Sequence, residues 1–196
     1  MSLLDFFFSS QSREPRPPSD IKLARPRVVL RMGVPADWQA WRELRGLSRD
    51  FLKAWEPEWP KDALSRPFFD GMLHRHMREW REGTGYGFFI FKTDVLIGGI
   101  GLNDVRRGIA QRATLGYWIG EPYARKGYMA EAAGLMCDFA FRTLKLHRLE
   151  ASCLPANEPS KLLLKRLGFA EEGYAKSYLR IDGAWQDHAL FAKINV

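Results

Sequence analysis

The chain has 196 residues, 46% of them hydrophobic, which is enough for one sizeable core and predicts a single domain. Thirty Lys and Arg against 23 Asp and Glu give a formal charge of +7, matching either a solvated basic surface or polyanionic partners such as phosphorylated cofactors and ribosomal surfaces. There is no aromatic RNP-type strand, no apolar run of membrane-spanning length and no disulfide framework, which excludes direct sequence-specific nucleic-acid recognition, membrane insertion and a stapled secreted scaffold.

Met1 to Phe8 is briefly apolar, but it lacks a basic start and carries Asp5, so it does not read as a signal peptide. Ser9 to Asp20 is rich in Ser, Pro and Arg, and residues 1–26 are expected to form a flexible arm ahead of one domain over 27–196. Arg27 to Met32 reads as a strand. Trp38, Trp41 and Leu44 mark a helix over Asp37 to Leu47, and a second helix is expected from Pro67 to Glu82. Between them Phe51 to Pro60 is aromatic, acidic and broken by prolines. His74 and His76 are two apart on that second helix and do not share a face, so they make no metal pair. Gly83-Thr-Gly-Tyr-Gly87 precedes a strand instead of linking strand to helix, so it reads as a turn, not a phosphate loop.

Strands are expected over Phe88 to Lys92 and Val95 to Val105, with Gly98 to Gly101 marking a bulge or close packing. A further strand runs from Gln111 to Ile119, and a helix from Met129 to Thr143. Between them Arg125, Lys126 and Gly127 sit at a helix start, where unpaired N–H groups and the macrodipole make an anion cradle best suited to pyrophosphate. Arg148 to Cys153 reads as a strand, Ser160 to Leu167 as a helix stopped by Gly168, and Asp182-Gly183 as a type I′ hairpin turn. Cys137 and Cys153 read as buried thiols in a reducing cytoplasm. The sum is a mixed α/β unit with an antiparallel meander in the middle.

In this setting the chain resembles the GNAT superfamily of acyl-CoA-dependent N-acetyltransferases, and within it the RimJ and RimL branch that acetylates ribosomal-protein N-termini. The resemblance rests on Phe51-Leu-Lys-Ala-Trp-Glu-Pro57, Leu115-Gly-Tyr-Trp-Ile119, Arg125-Lys-Gly-Tyr-Met-Ala-Glu-Ala132, His147-Arg-Leu149 and Asn157-Glu-Pro-Ser160. It continues through Leu167-Gly-Phe169 and Glu172-Gly-Tyr-Ala-Lys176 to Tyr178-Leu-Arg-Ile-Asp-Gly-Ala-Trp-Gln-Asp-His188, a closing block on the RimJ side. It implies an α/β (α+β) fold with a mixed, mostly antiparallel sheet of six to seven strands and helices on both faces. It also implies acetyl-CoA as co-substrate, with no metal.

Carried over by position, the backbone of Arg125, Lys126, Gly127, Tyr128, Met129 and Ala130 would hold the pyrophosphate. The strand end at Trp118 and Ile119 would splay from the strand at Arg148 to admit pantetheine. Asn157 would hydrogen-bond the pantetheine, and Ser160 would cap its helix and lie by the thioester sulfur as a catalytic donor. Trp55, Glu56, Tyr178 and His188 would face the acceptor, with Glu56 either a base acting through water or one partner of a loop salt bridge. The pattern departs at Ala124, at Met129, and at Leu164, where many relatives carry a Tyr acid. The implied acceptor is the N-terminal α-amino group of a ribosomal or other protein, and the implied state a monomer or homodimer. Acetylation of a small amine or antibiotic, and a non-catalytic acyl-CoA-binding ribosome-assembly factor, are the alternatives.

Overall fold

β1 (Lys22–Arg25) and β2 (Val28–Arg31) fold back on one another antiparallel, with Val28 and Leu30 buried. The computed structural model describes residues 21–195. The sheet thus begins inside the stretch expected to be an arm, because Ile21 and Leu23 pack on the core and hold the chain extended. The remainder of that arm, with the apolar start at Met1, lies outside the described residues.

A 3-10 turn over Pro35–Asp37 leads into α1 (Trp38–Leu47), followed by α2 (Arg49–Lys53) and α3 (Arg66–Glu82). Ser65 caps α3, its hydroxyl accepting from the Phe68 N–H at 3.2 Å, and Gly83 ends the helix with a left-handed φ of 67°. Then come β3 (Tyr86–Lys92), β4 (Val95–Arg106) and β5 (Arg112–Ile119), the expected meander. α4 (Tyr128–Asp138), β6 (Arg148–Cys153) and α5 (Glu158–Arg166) follow. β7 (Ala170–Ile181) and β8 (Ala184–Ile194) close the chain around Asp182 and Gly183, both left-handed as a type I′ turn requires.

The strands form one eight-stranded sheet in the order β1-β2-β3-β4-β5-β6-β8-β7. The count exceeds the six to seven expected, with β1 as the addition. Every pairing is antiparallel except that of β5 with β6. Alternation along β3 gives each face its own core. Phe88 and Ile90 join α4 (Ala132, Met136) and Leu164 of α5, while Phe89 and Phe91 meet Trp41 of α1 and Phe69 and Leu73 of α3. Helices therefore cover both faces, as the sequence implies.

The helix expected to run to Thr143 instead ends at Asp138 and passes into a π turn over Phe139–Thr143. The wider turn seats the Phe139 ring 5.5 Å from Tyr86, 5.7 Å from Phe88 and 6.1 Å from Trp80. Gly98 and Gly99 have a packing reason, since a Cβ at either would run into the Trp118 backbone or its indole.

His76 of α3 packs on Gly87 of β3, where an added Cβ would lie 2.9 Å from its Nδ1. Burial, and then the neighbouring Arg75, lower its pKa from 6.5 to about 4. Between those values the unfolded chain binds the proton and the folded one does not, so stability is full above 6.5 and drains as pH falls toward 4. The expected loss is at most about 3 kcal/mol. Thermal melts of the wild type and His76→Gln should converge as pH is lowered through this window; parallel curves would show that His76 does not titrate there.

Candidate active site

β5 and β6 pair only at their starts, from Arg112 with Arg148 to Thr114 with Glu150. β5 then stays with β4 as far as Ile119, and β6 stays with β8 as far as Cys153. The strands diverge, leaving Leu115 to Ile119 without a strand partner on that side. An extended amide chain fits such a gap as an added strand.

α4 begins just beyond the open end of this splay. Its N-cap, Gly127, has a φ of 83° and no side chain to cap the helix, and Arg125 also takes a left-handed φ of 61°. The N–H groups of Ala130 and Glu131 donate back to the Gly127 carbonyl. Among the described residues, none accepts from the N–H groups of Arg125 through Met129. These donors, at the positive end of a helix and around a glycine whose Cβ would intrude, fit a pyrophosphate. Tyr128 and Met129 are buried and anchor the helix, so they offer only backbone to a ligand. Lys126, expected near the phosphates, turns its ammonium onto the Pro122 carbonyl at 2.7 Å. The cation brought against the cradle is Arg27, which sequence reading missed. It donates to the Lys126 carbonyl at 3.2 Å and pairs with Glu131.

On the α5 side the cap belongs to Asn157, whose Oδ1 accepts from the Ser160 N–H at 3.1 Å. This corrects the expectation that Ser160 caps the helix, and it frees the serine hydroxyl for other work. That hydroxyl lies 2.6 Å from the Tyr117 hydroxyl of β5. Tyr117 carried a readable signal: it continues the inward row Ala113 and Leu115 but ends in a polar atom. Burial pushes its pKa up to about 12, so the phenol stays protonated. Burial likewise raises Cys137 to about 11 and lifts Cys153 above the usual thiol range, so neither is a ready nucleophile.

On the opposite face the Trp118 ring lies 4.8 Å from the Arg45 guanidinium of α1, which also sits 4.3 Å from the Trp59 ring. Both terminal nitrogens of Arg45 donate to Glu56 at 2.7 Å, and the Trp59 indole donates to the same carboxylate at 2.8 Å. The Asp182 N–H donates to the Glu56 carbonyl at 3.0 Å and ties this segment to the β7–β8 turn. Arg45 is a residue that the motifs did not single out. Trp55 is 36% and Tyr178 47% exposed. Tyr178, Thr114, Glu150 and Leu190 help line a cavity of about 290 Å³. Glu150 is held by Arg112 and Arg148 at 2.8 Å each, so it is a paired carboxylate. His188 is 3% exposed, packed edge-on beneath Tyr178 with Nδ1 3.0 Å from the Gln186 carbonyl. That depth corrects its expected role as a substrate contact: it supports Tyr178 from below.

A profile of the Acetyltransferase (GNAT) domain matches residues 27–170. The chain belongs to the GNAT acetyltransferases. The [ribosomal protein uS5]-alanine N-acetyltransferase of Escherichia coli K12 is 36% identical over 176 residues, 88% of this chain and 90% of its own length. The ribosomal-protein-S5-alanine acetyltransferase from Vibrio fischeri superposes with a TM-score of 0.84 at 28% identity, covering 90% of this chain and 97% of that one. RimJ of Mycobacterium smegmatis, solved with CoA-disulfide, gives 0.83 at 31% identity over 89% and 86%. As a GNAT acetyltransferase this protein uses acetyl-CoA. Among the described residues no group of three or more His, Cys, Asp or Glu is placed to hold a metal, and no helix is long and apolar enough to cross a membrane.

Proposed function

We propose that this acetyltransferase modifies the α-amino group of a protein N-terminus, with a ribosomal protein that begins in a small residue as the acceptor. The similarity to the uS5-alanine N-acetyltransferase across 88% of the chain carries the reading. The electrostatics support it. Glu56 at the aromatic wall and Glu150 and Glu172 around the Tyr178 cavity are all engaged by arginines, so none of the three stands as a free base. An α-amine with pKa near ~8 is about a tenth free base at neutral pH, whereas a lysine near ~10.4 is well under a thousandth. Such a site suits the α-amine.

The neutral nitrogen attacks the thioester carbon and a C–N bond forms, with backbone N–H near Trp118 and Ile119 polarising the carbonyl oxygen. The C–S bond then breaks with its electron pair going to sulfur, where Ser160 donates a hydrogen bond, and the nitrogen's proton passes to water. Glu56, fixed by Arg45 and Trp59, anchors the acceptor wall, and Trp55 and Tyr178 supply its exposed aromatic surface. The cytoplasm, where ribosomal proteins and acetyl-CoA meet and both thiols stay reduced, is the compartment this reading requires.

Peptides beginning with Ala or Ser and carrying an internal lysine should be acetylated at the terminus alone, with a rate that rises with pH through the α-amine titration. Mass spectrometry locates the acetyl group. Much faster turnover of spermidine or an aminoglycoside than of any such peptide would replace this reading with the small-amine one.

A further inference from the structure

Ser160 is poorly equipped to meet a thiolate by itself. A serine hydroxyl rotates freely, and at the third position of α5 it has competing acceptors in the preceding turn. The structure limits that freedom from across the splay. Tyr117 reaches over from β5 and places its hydroxyl 2.6 Å from Ser160 Oγ. The strand and the helix on the two sides of the splay thus meet at one hydrogen bond. Lys161, the nearest cation on α5, is turned away onto Glu158 at 2.7 Å and the Pro155 carbonyl.

We propose that Tyr117 is a positioning residue for acetyl transfer: by donating its phenolic hydrogen to Ser160 Oγ, it leaves the serine hydrogen aimed at the departing sulfur. Tyr117 transfers no proton and touches no substrate. Either oxygen of this pair can donate, and the phenol, protonated across the working range, keeps the hydrogen that the proposal has it give to the serine. The thiolate formed when the C–S bond breaks takes the Ser160 hydrogen bond, and then its proton from solvent. Leu164, one turn further along α5, is buried in the core and carries no acid, so the Ser160 hydroxyl backed by a tyrosine on a strand is what reaches the sulfur. The proposal rests on the splay being the acetyl-CoA site, but not on the identity of the acceptor.

Two measurements test it. In the binary complex with CoA, ultraviolet titration of the thiolate should give a thiol pKa lower in the wild type than in Tyr117→Phe or Ser160→Ala by at least about half a unit. No acceptor is needed, so this arm stands whatever the amine is. With an alanine-initiated peptide, Tyr117→Phe should lower kcat about tenfold and leave KM for acetyl-CoA within about twofold. The same substitution in Ser160→Ala should add nothing, since two residues acting through one hydrogen bond are not additive. An unshifted CoA thiol pKa in Tyr117→Phe overturns the proposal, and so do losses that add. A Tyr117→Phe effect confined to KM also overturns it. If the wild type leaves the peptide unmodified but holds a depressed CoA thiol pKa, the acceptor reading fails and the Tyr117 assignment survives.

Discussion

Replacing Gly127 by valine is expected to weaken acetyl-CoA binding by at least about 100-fold, close to 3 kcal/mol. Two effects combine. A φ of 83° strains any residue with a Cβ, and a β-branched one most of all. The new methyl groups would also stand over the N–H groups from Arg125 to Met129, which must approach the pyrophosphate closely to bond it. Crowding of Arg27, whose Nη2 would lie 3.0 Å from the added Cβ, contributes little because that side chain can shift. Gly127→Ala should fall between wild type and valine. Gly134→Ala in the same helix is the control: nothing lies within 4 Å of its added Cβ, so affinity should hold. Calorimetry with acetyl-CoA decides the matter, and an unchanged affinity in a folded Gly127→Val would remove the cradle from the binding site.

The helix start at Gly127 was legible because its geometry is local. A strand, a glycine and a helix start within a dozen residues fix where unpaired N–H groups point, whatever the rest of the chain does. The hairpin at Asp182-Gly183 follows the same logic, since a turn signal needs only its neighbours. Arg27, by contrast, reaches the cradle from 99 residues away in sequence, to the Lys126 carbonyl. Arg45 meets Glu56 from another element, and no spacing rule links a helix residue to a loop carboxylate across 11 positions. Ser160 shows how a local rule can point one residue astray. Serine is a good cap, but Asn157 three positions earlier is equally good, and Pro159 just inside the helix start favours the earlier cap. His188 and Tyr178 lie on the same hairpin and both read as polar aromatics near substrate. Only the sheet's packing tells that one is covered by the other. The π turn at Phe139 was hidden for a related reason, as it answers to aromatic neighbours on α3 and β3.

Arg45→Ala should destabilise the fold by about 2–4 kcal/mol, because it strands a largely buried carboxylate, strips Trp118 of its cation and leaves Trp59 only the more distant Arg49. The side chains of Arg45 and Glu56 are only 14% and 19% exposed, so water replaces the lost partner poorly. In a chain of this size that is a fall of roughly 5–15 °C in Tm. The acceptor KM should rise with it, since the Glu56 segment, tied to the Asp182 turn, loses its anchor. Glu56→Gln separates anchoring from catalysis. The amide oxygen can still accept from Arg45 Nη2 and Trp59, but the amide NH2 then faces Arg45 Nη1 and that charge loses its partner, so stability should drop by about 1–3 kcal/mol while kcat stays within a few fold. A general base acting through water would behave otherwise: its conversion to Gln should cost about 100-fold in kcat and remove the base's own acidic limb from the pH–rate profile, leaving only that of the amine. Melting curves and pH–rate profiles of both variants tell the two roles apart. Loss of the base's own limb in a well-folded Glu56→Gln would make Glu56 the base, and the Arg45 pair would then serve to hold a catalytic carboxylate in place.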